Sequence, residues 1–190
     1  MPKSAIQTLS SPQERFLEAS RQVALVVGAS LFVALCARVA IPLPFTPVPL
    51  TVQNLGVLLV GLLLGGRKGF AALALYLFEG AMGMPVFSPT GPGGLAQLLG
   101  PTGGFLMAYP FVAFVAGYMF ERGPKTFARA AVAGFLAEIL LFAGGLAGLY
   151  VVTHSLVKAA YLGLYWFIAA EILKIVFAAA IATRWRRAAN

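Results

Sequence analysis

The chain has 190 residues, a net charge of +8, 60% apolar residues and only 11% charged ones. That charged share is about half of what a soluble domain carries, too little to cover a soluble globule of this size. The basic residues sit in short patches between apolar runs, which marks them as topology signals beside an anionic membrane and argues against a nucleic-acid surface.

Segment 1–21 places Glu14, Arg15, Glu18 and Arg21 ahead of the first apolar run. This is unlike a cleaved signal peptide and reads as a cytoplasmic N-terminal arm, or a short interfacial helix. Six helical segments follow, at about 22–41, 53–66, 69–82, 102–121, 127–152 and 158–184. Residues 80–120 and 139–157 contain no Asp, Glu, Lys or Arg at all. Such runs are long and continuous, not alternating, so spanning helices are expected and a barrel is not. The fold class is thus an all-α membrane protein with six transmembrane helices. Residues 22–184 form the membrane domain and 185–190 a basic cytoplasmic tail. The second and third segments are short for spans of about 20 residues.

Charge placement orients the chain. Lys3, Arg15, Arg21, Arg67, Lys68, Arg122, Lys125, Arg129, Arg184, Arg186 and Arg187 all fall on one side of this arrangement. Only Lys158 lies in the opposite loops, while Arg38 and Lys174 lie within spans. The positive-inside rule then puts both termini in the cytoplasm. The predicted outer loops are uncharged and rich in Pro and Gly: IPLPFTPVP over 41–49 and GMPVFSPTGPGGLAQLLGPTGG over 83–104. Irregular, apolar backbone at membrane depth is tolerated where it lines a cavity or is buried in protein. These loops are expected to cap an outward-facing pocket; a pair of interfacial turns without a ligand is the alternative.

Five ionisable residues fall inside predicted spans: Arg38, Glu79, Glu138, Glu171 and Lys174. Charge in hydrocarbon is costly and usually faces the bundle or a cavity. Glu171 and Lys174 are three apart on one helix, which puts them on one face. They form either a self-neutralising structural pair or a ligand clamp. Arg38 and Glu79 lie near outer helix ends, where long side chains reach the interface. Gln53 and Asn54 open the second segment, directly after the proline-rich loop, and Gln97 stands alone in the glycine-rich loop. Each offers amide groups to a pocket or to loop backbone. Small residues four apart, Ser30/Ala34 and Gly61/Gly65, allow close helix approach.

Catalytic signatures are missing. GLLLGGRK over 61–68 has the glycine spacing of a phosphate loop, but Arg67 stands where its lysine belongs and no Ser or Thr follows Lys68. His154 is the only histidine and Cys36 the only cysteine, so a histidine metal cluster and an internal disulfide are both excluded. The chain reads as a non-enzyme, without cofactor or metal.

The run PVPLTVQNLGVLLVGLLLGGRKG over 47–69, followed by GMPVFSPTGPGGLAQLLGPTGGFLMAY over 83–109, resembles the BioY family of biotin-binding S components of energy-coupling-factor transporters. The likeness runs from about Ala24 to Ala182 and rests on TVQN, GMPVF, GGL and LLGPTGG together. It implies a six-helix subunit in a bacterial plasma membrane. Such a subunit captures biotin from outside and works with a coupling membrane protein and two ATPase subunits. Glu171 and Lys174 match the family's acidic residue and the lysine one turn later that contact biotin, although the acidic residue is commonly Asp. Gln53, Asn54, Gln97 and Gly94, in the GGL turn, are implied as further substrate contacts. Pro89, Thr90 and Pro92 interrupt a loop that usually carries more glycine. Ser30 and Ala34 match the motif, usually alanine at both positions, by which S components dock on the coupling subunit. A stand-alone proton-coupled carrier, using Glu79, Glu138 or Glu171, is the competing reading.

Overall fold

In a computed structural model, which describes residues 12–188, the chain is mostly helical. Helix α1 (Pro12–Arg38) is followed by two short strands, β1 (Ala40–Ile41) and β2 (Leu50–Thr51). Then come α2 (Gln53–Leu64), α3 (Gly66–Ala81), α4 (Gly94–Leu98), α5 (Gly103–Glu121), α6 (Phe127–Thr153), α7 (Leu156–Ala160), a π-helical turn (Tyr161–Tyr165) and α8 (Ile168–Ala188). The predicted helical segments reappear with four differences. The first, expected to reach residue 41, ends at Arg38, and Ala40–Ile41 form a strand. Residues 12–21, expected in a separate arm, are the opening turns of α1. The last segment is broken, with a 44° bend between Leu156–Tyr165 and Ile168–Trp185. The glycine-rich loop contains the short helix α4. Lys3 and the rest of segment 1–11, and residues 189–190 of the tail, lie outside the described residues.

Among the described residues three helices, α1, α5 and α6, are long and apolar enough to cross a membrane, with a fourth if the bent pair ending in α8 is counted as one span. Helices α2 and α3 have 12 and 16 residues. At about 1.5 Å per residue they are shorter than a hydrocarbon core. They compensate by burial: α2 hides most of its residues, including its two polar ones, inside the bundle. Large apolar side chains on the outer faces of α1, α6 and α8 stay exposed, as suits a lipid-facing surface.

Helix α5 is the hub, packed against α2, α3 and α6. Close approach is possible because glycine faces glycine. A Cβ on Gly117 of α5 would fall onto backbone atoms of Gly61, Gly65 and Gly66, so the α2–α3 corner rests directly on the α5 backbone. Gly65, at φ +89°, makes that corner in a single residue. The Glu121 carboxylate accepts from the N–H of Gly66 at 3.2 Å, placing negative charge at the start of α3. The Gly61/Gly65 pair therefore serves packing within the chain.

The proline-rich loop is folded back by its own ends. Ala40 pairs with Thr51 and Ile41 with Leu50 in an antiparallel two-residue ladder, a small β element that an all-helical reading does not contain. Thr46 Oγ1 donates to the Leu162 carbonyl at 2.6 Å and accepts from the Val48 N–H at 3.1 Å. The Phe45 ring lies 4.3 Å from that of Trp166. These contacts pin the loop to the bend before α8. Arg38 stays exposed at the end of α1, donates to the Pro85 carbonyl and ties α1 to the glycine-rich loop.

Candidate functional site

Both uncharged loops converge over a pocket of about 560 Å³, measured with its opening. The proline-rich loop contributes Val48 and Pro49, the glycine-rich region Ser88 and Gln97, and α5 Phe105 and Tyr109. Phe142 of α6 and Phe167, at the bend, complete apolar walls. The polar groups predicted from sequence are brought together here: Gln53, Asn54, Gln97, Glu171 and Lys174 all line the pocket.

The bend positions the charged pair. Because a new helix begins at Ile168, Glu171 falls in its first turn, where a carboxylate is favoured by the helix dipole. Lys174, one turn on, donates to Glu171 Oε1 at 2.7 Å. Their side chains are 12% and 8% exposed, so this is a largely desolvated ion pair inside the pocket wall. Glu171 Oε2 accepts from Asn54 Nδ2 at 2.7 Å. The same nitrogen donates to Oε1 of Glu138 on α6, which joins α2, α6 and α8 through one amide. A carboxylate has about four lone-pair sites, so Glu171 keeps acceptor capacity for a ligand.

The other two amides are anchored differently. Gln53 Nε2 donates to Tyr76 Oη at 2.8 Å, and Tyr76 passes its own hydrogen to the Val86 carbonyl at 3.0 Å. Tyr76 is fully buried and stands edge-on to Phe87. Tyr76→Phe strands both partners, and an unsatisfied buried group costs about 1–3 kcal/mol. A fall in thermal midpoint of the detergent-solubilised variant is the expected result. Gln97 accepts the Gly93 N–H at 3.1 Å and thereby shapes its own loop.

Gly94, Ser30 and Ala34 lie elsewhere. Gly94 does not line the pocket; it opens α4 at φ +59°, which makes it a turn-former in this structure. Ser30 is fully buried, and its hydroxyl donates to Glu79 Oε2 at 2.5 Å, joining α1 to α3. Ala34 is partly buried against the main core. Ser30 therefore packs against α3 within the chain, where Glu79 is its partner, while Ala34 keeps part of its surface open. Sequence reading missed Tyr109 and the phenylalanine walls, since aromatic residues in apolar helices carry no spacing signal of their own. It also left Glu138 without a partner, because Asn54 lies 84 positions away.

The BioY family profile matches residues 6–190. A protein of Rhizobium etli named "Biotin transporter BioY" is 39% identical over 160 residues, covering 80% of this chain and 84% of that one. A protein of Thermotoga maritima with the same name is 36% identical, covering 85% and 95%. One of Pyrococcus horikoshii, "Probable biotin transporter BioY", is 39% identical, covering 87% and 96%. In fold the chain is similar to a crystal structure described as the S-component for biotin from an ECF-type ABC transporter. That match has a TM-score of 0.81 at 24% identity and covers 90% of this chain and 93% of the other. With a profile match along nearly its whole length and relatives covered almost end to end, the chain belongs to the BioY family.

Proposed function

We propose that this protein is the substrate-capture subunit of a biotin uptake system, binding biotin from the outer side of a bacterial plasma membrane. The observation that carries this reading is the pocket itself. It has aromatic walls, one desolvated Glu171–Lys174 pair and three anchored amides, all beneath two uncharged loops. Biotin is an apolar bicycle with a ring urea, a thioether and a carboxylate tail. Lys174 donates to the urea carbonyl, while Glu171 and Asn54 accept urea N–H groups. Gln53 and Gln97 are secondary contacts, and Gly94 shapes the loop above them. The names of the relatives support biotin as the cargo.

The same reading gives the chain six membrane-crossing segments, with α2 and α3 as short spans inside the bundle and both termini cytoplasmic. The grouping of basic residues at Arg67 and Lys68, Arg122 to Arg129, and Arg184 to Arg187 supports that orientation. The division into arm 1–21, membrane domain 22–184 and tail 185–190 follows it, with the opening turns of α1 at the cytoplasmic interface. Delivery depends on a separate coupling membrane protein and two ATPase subunits. Ala34 and the neighbouring outer face of α1 supply the docking contact, with Ser30 setting the helix packing behind it.

Radiolabelled biotin uptake tests the division of labour. Cells expressing this chain with its coupling and ATPase subunits are expected to accumulate biotin, and a Walker-lysine variant of the ATPases to abolish that accumulation. Uptake that continues without ATPases but collapses with the proton gradient indicates a stand-alone carrier instead.

A further inference from the structure

Asn54 has its hydrogen-bond donors spent before any ligand arrives. Its nitrogen carries two hydrogens. One goes to Oε1 of Glu138 and the other, at 2.7 Å, to Oε2 of Glu171. In this orientation the amide nitrogen, not the oxygen, meets both acidic side chains. Asn54 Oδ1 is left buried and without a partner, on a residue that lines the pocket. Glu138 is 3% exposed and is not among the residues that line the pocket beneath the loops. Its only hydrogen bond among the described residues is the one to Asn54. A buried carboxylate is costly to keep, and this one holds the amide nitrogen of Asn54 from the side of α6.

We propose that Glu138 is a positioning residue of the ligand site. Together with Glu171 it takes both amide hydrogens of Asn54, and so presents Asn54 Oδ1 to the pocket as a fixed acceptor for one N–H of a ring urea. This deepens the biotin reading above and rests on it. It also assigns a chemical selectivity: the Asn54 position accepts hydrogen bonds and rejects a ligand that brings an acceptor to the same place. Without Glu138 the amide is free to turn, and the site no longer distinguishes donor from non-donor there.

The test compares affinities by calorimetry for biotin and for its two lactam analogues, each with one urea N–H replaced by CH2. Wild-type protein is expected to bind biotin and to discriminate against the analogue that lacks the N–H facing Asn54. In Glu138→Met biotin affinity falls by about 10- to 100-fold, the value of a charge-assisted hydrogen bond. Discrimination against that analogue disappears with it. Glu138→Gln, whose carbonyl can accept the same N–H, restores most of both. Adding Asn54→Ala to Glu138→Met produces no further loss beyond Asn54→Ala alone. Where the methionine variant does not fold, Glu138→Asp, which withdraws the carboxylate by one methylene, gives the same comparison. A Glu138 variant that keeps wild-type discrimination overturns the proposal, even if its affinity is reduced. A folded wild-type protein that does not bind biotin overturns the underlying reading and this inference with it.

Discussion

A Lys174→Ala protein is expected to bind biotin about 10- to 100-fold more weakly than wild type, as measured by calorimetry on purified material. A charge-assisted hydrogen bond to the ligand is worth about 1.5–3 kcal/mol, and each 1.4 kcal/mol is a factor of ten in affinity. The setting here is severe. Lys174 is the only cation paired with the Glu171–Asn54–Glu138 network among the described residues. Its loss leaves two buried carboxylates joined by a single amide, and it removes the donor assigned to the urea carbonyl. Arginine at 174 is not a conservative repair, because a planar fork replaces a compact ammonium. Near-wild-type binding by Lys174→Ala would remove the clamp from the account.

The second large effect is on folding. Gly117→Val should destabilise the bundle by about 3 kcal/mol or more, because overpacking is costly when the neighbours cannot yield. The atoms a side chain would meet at Gly117 are backbone atoms of Gly61, Gly65 and Gly66, not flexible side-chain ends. Thermal unfolding in detergent reads the effect directly. Gly28→Ala on α1 is the matched control: nothing lies within 4 Å of a Cβ there, so no loss of midpoint is expected. If the two variants unfold alike, α5 is not the packing hub described above.

Much of this architecture is legible in the sequence because membrane solvent makes charge scarce. In a chain with only 20 charged residues, a glutamate and a lysine three apart in an apolar run stand out, and the pocket uses both. Gln53, Asn54 and Gln97 stand out for the same reason, next to loops that proline and glycine bar from regular helix. Contacts between helices are not written in spacing. Glu138 meets Asn54, and Ser30 meets Glu79, across 84 and 49 positions, and no periodicity announces either. Small residues four apart at Ser30 and Ala34 signal close approach but not which helix approaches; within this chain it is α3 that meets Ser30. A glycine-rich turn likewise shows that left-handed backbone is needed without showing which glycine faces the cavity, and Gly94 does not. The bend before α8 escapes sequence reading because no proline marks it. A π-helical turn and the Trp166–Phe167 break do the work, and they deliver Phe167, Glu171 and Lys174 to one wall.

The central claim is that this pocket holds biotin, and direct calorimetry on the purified, detergent-solubilised protein tests it, with thiamin and riboflavin as controls. Saturable, tight, one-to-one binding of biotin alone is the predicted result. Folded protein that ignores biotin, or that binds either control vitamin equally well, would contradict it.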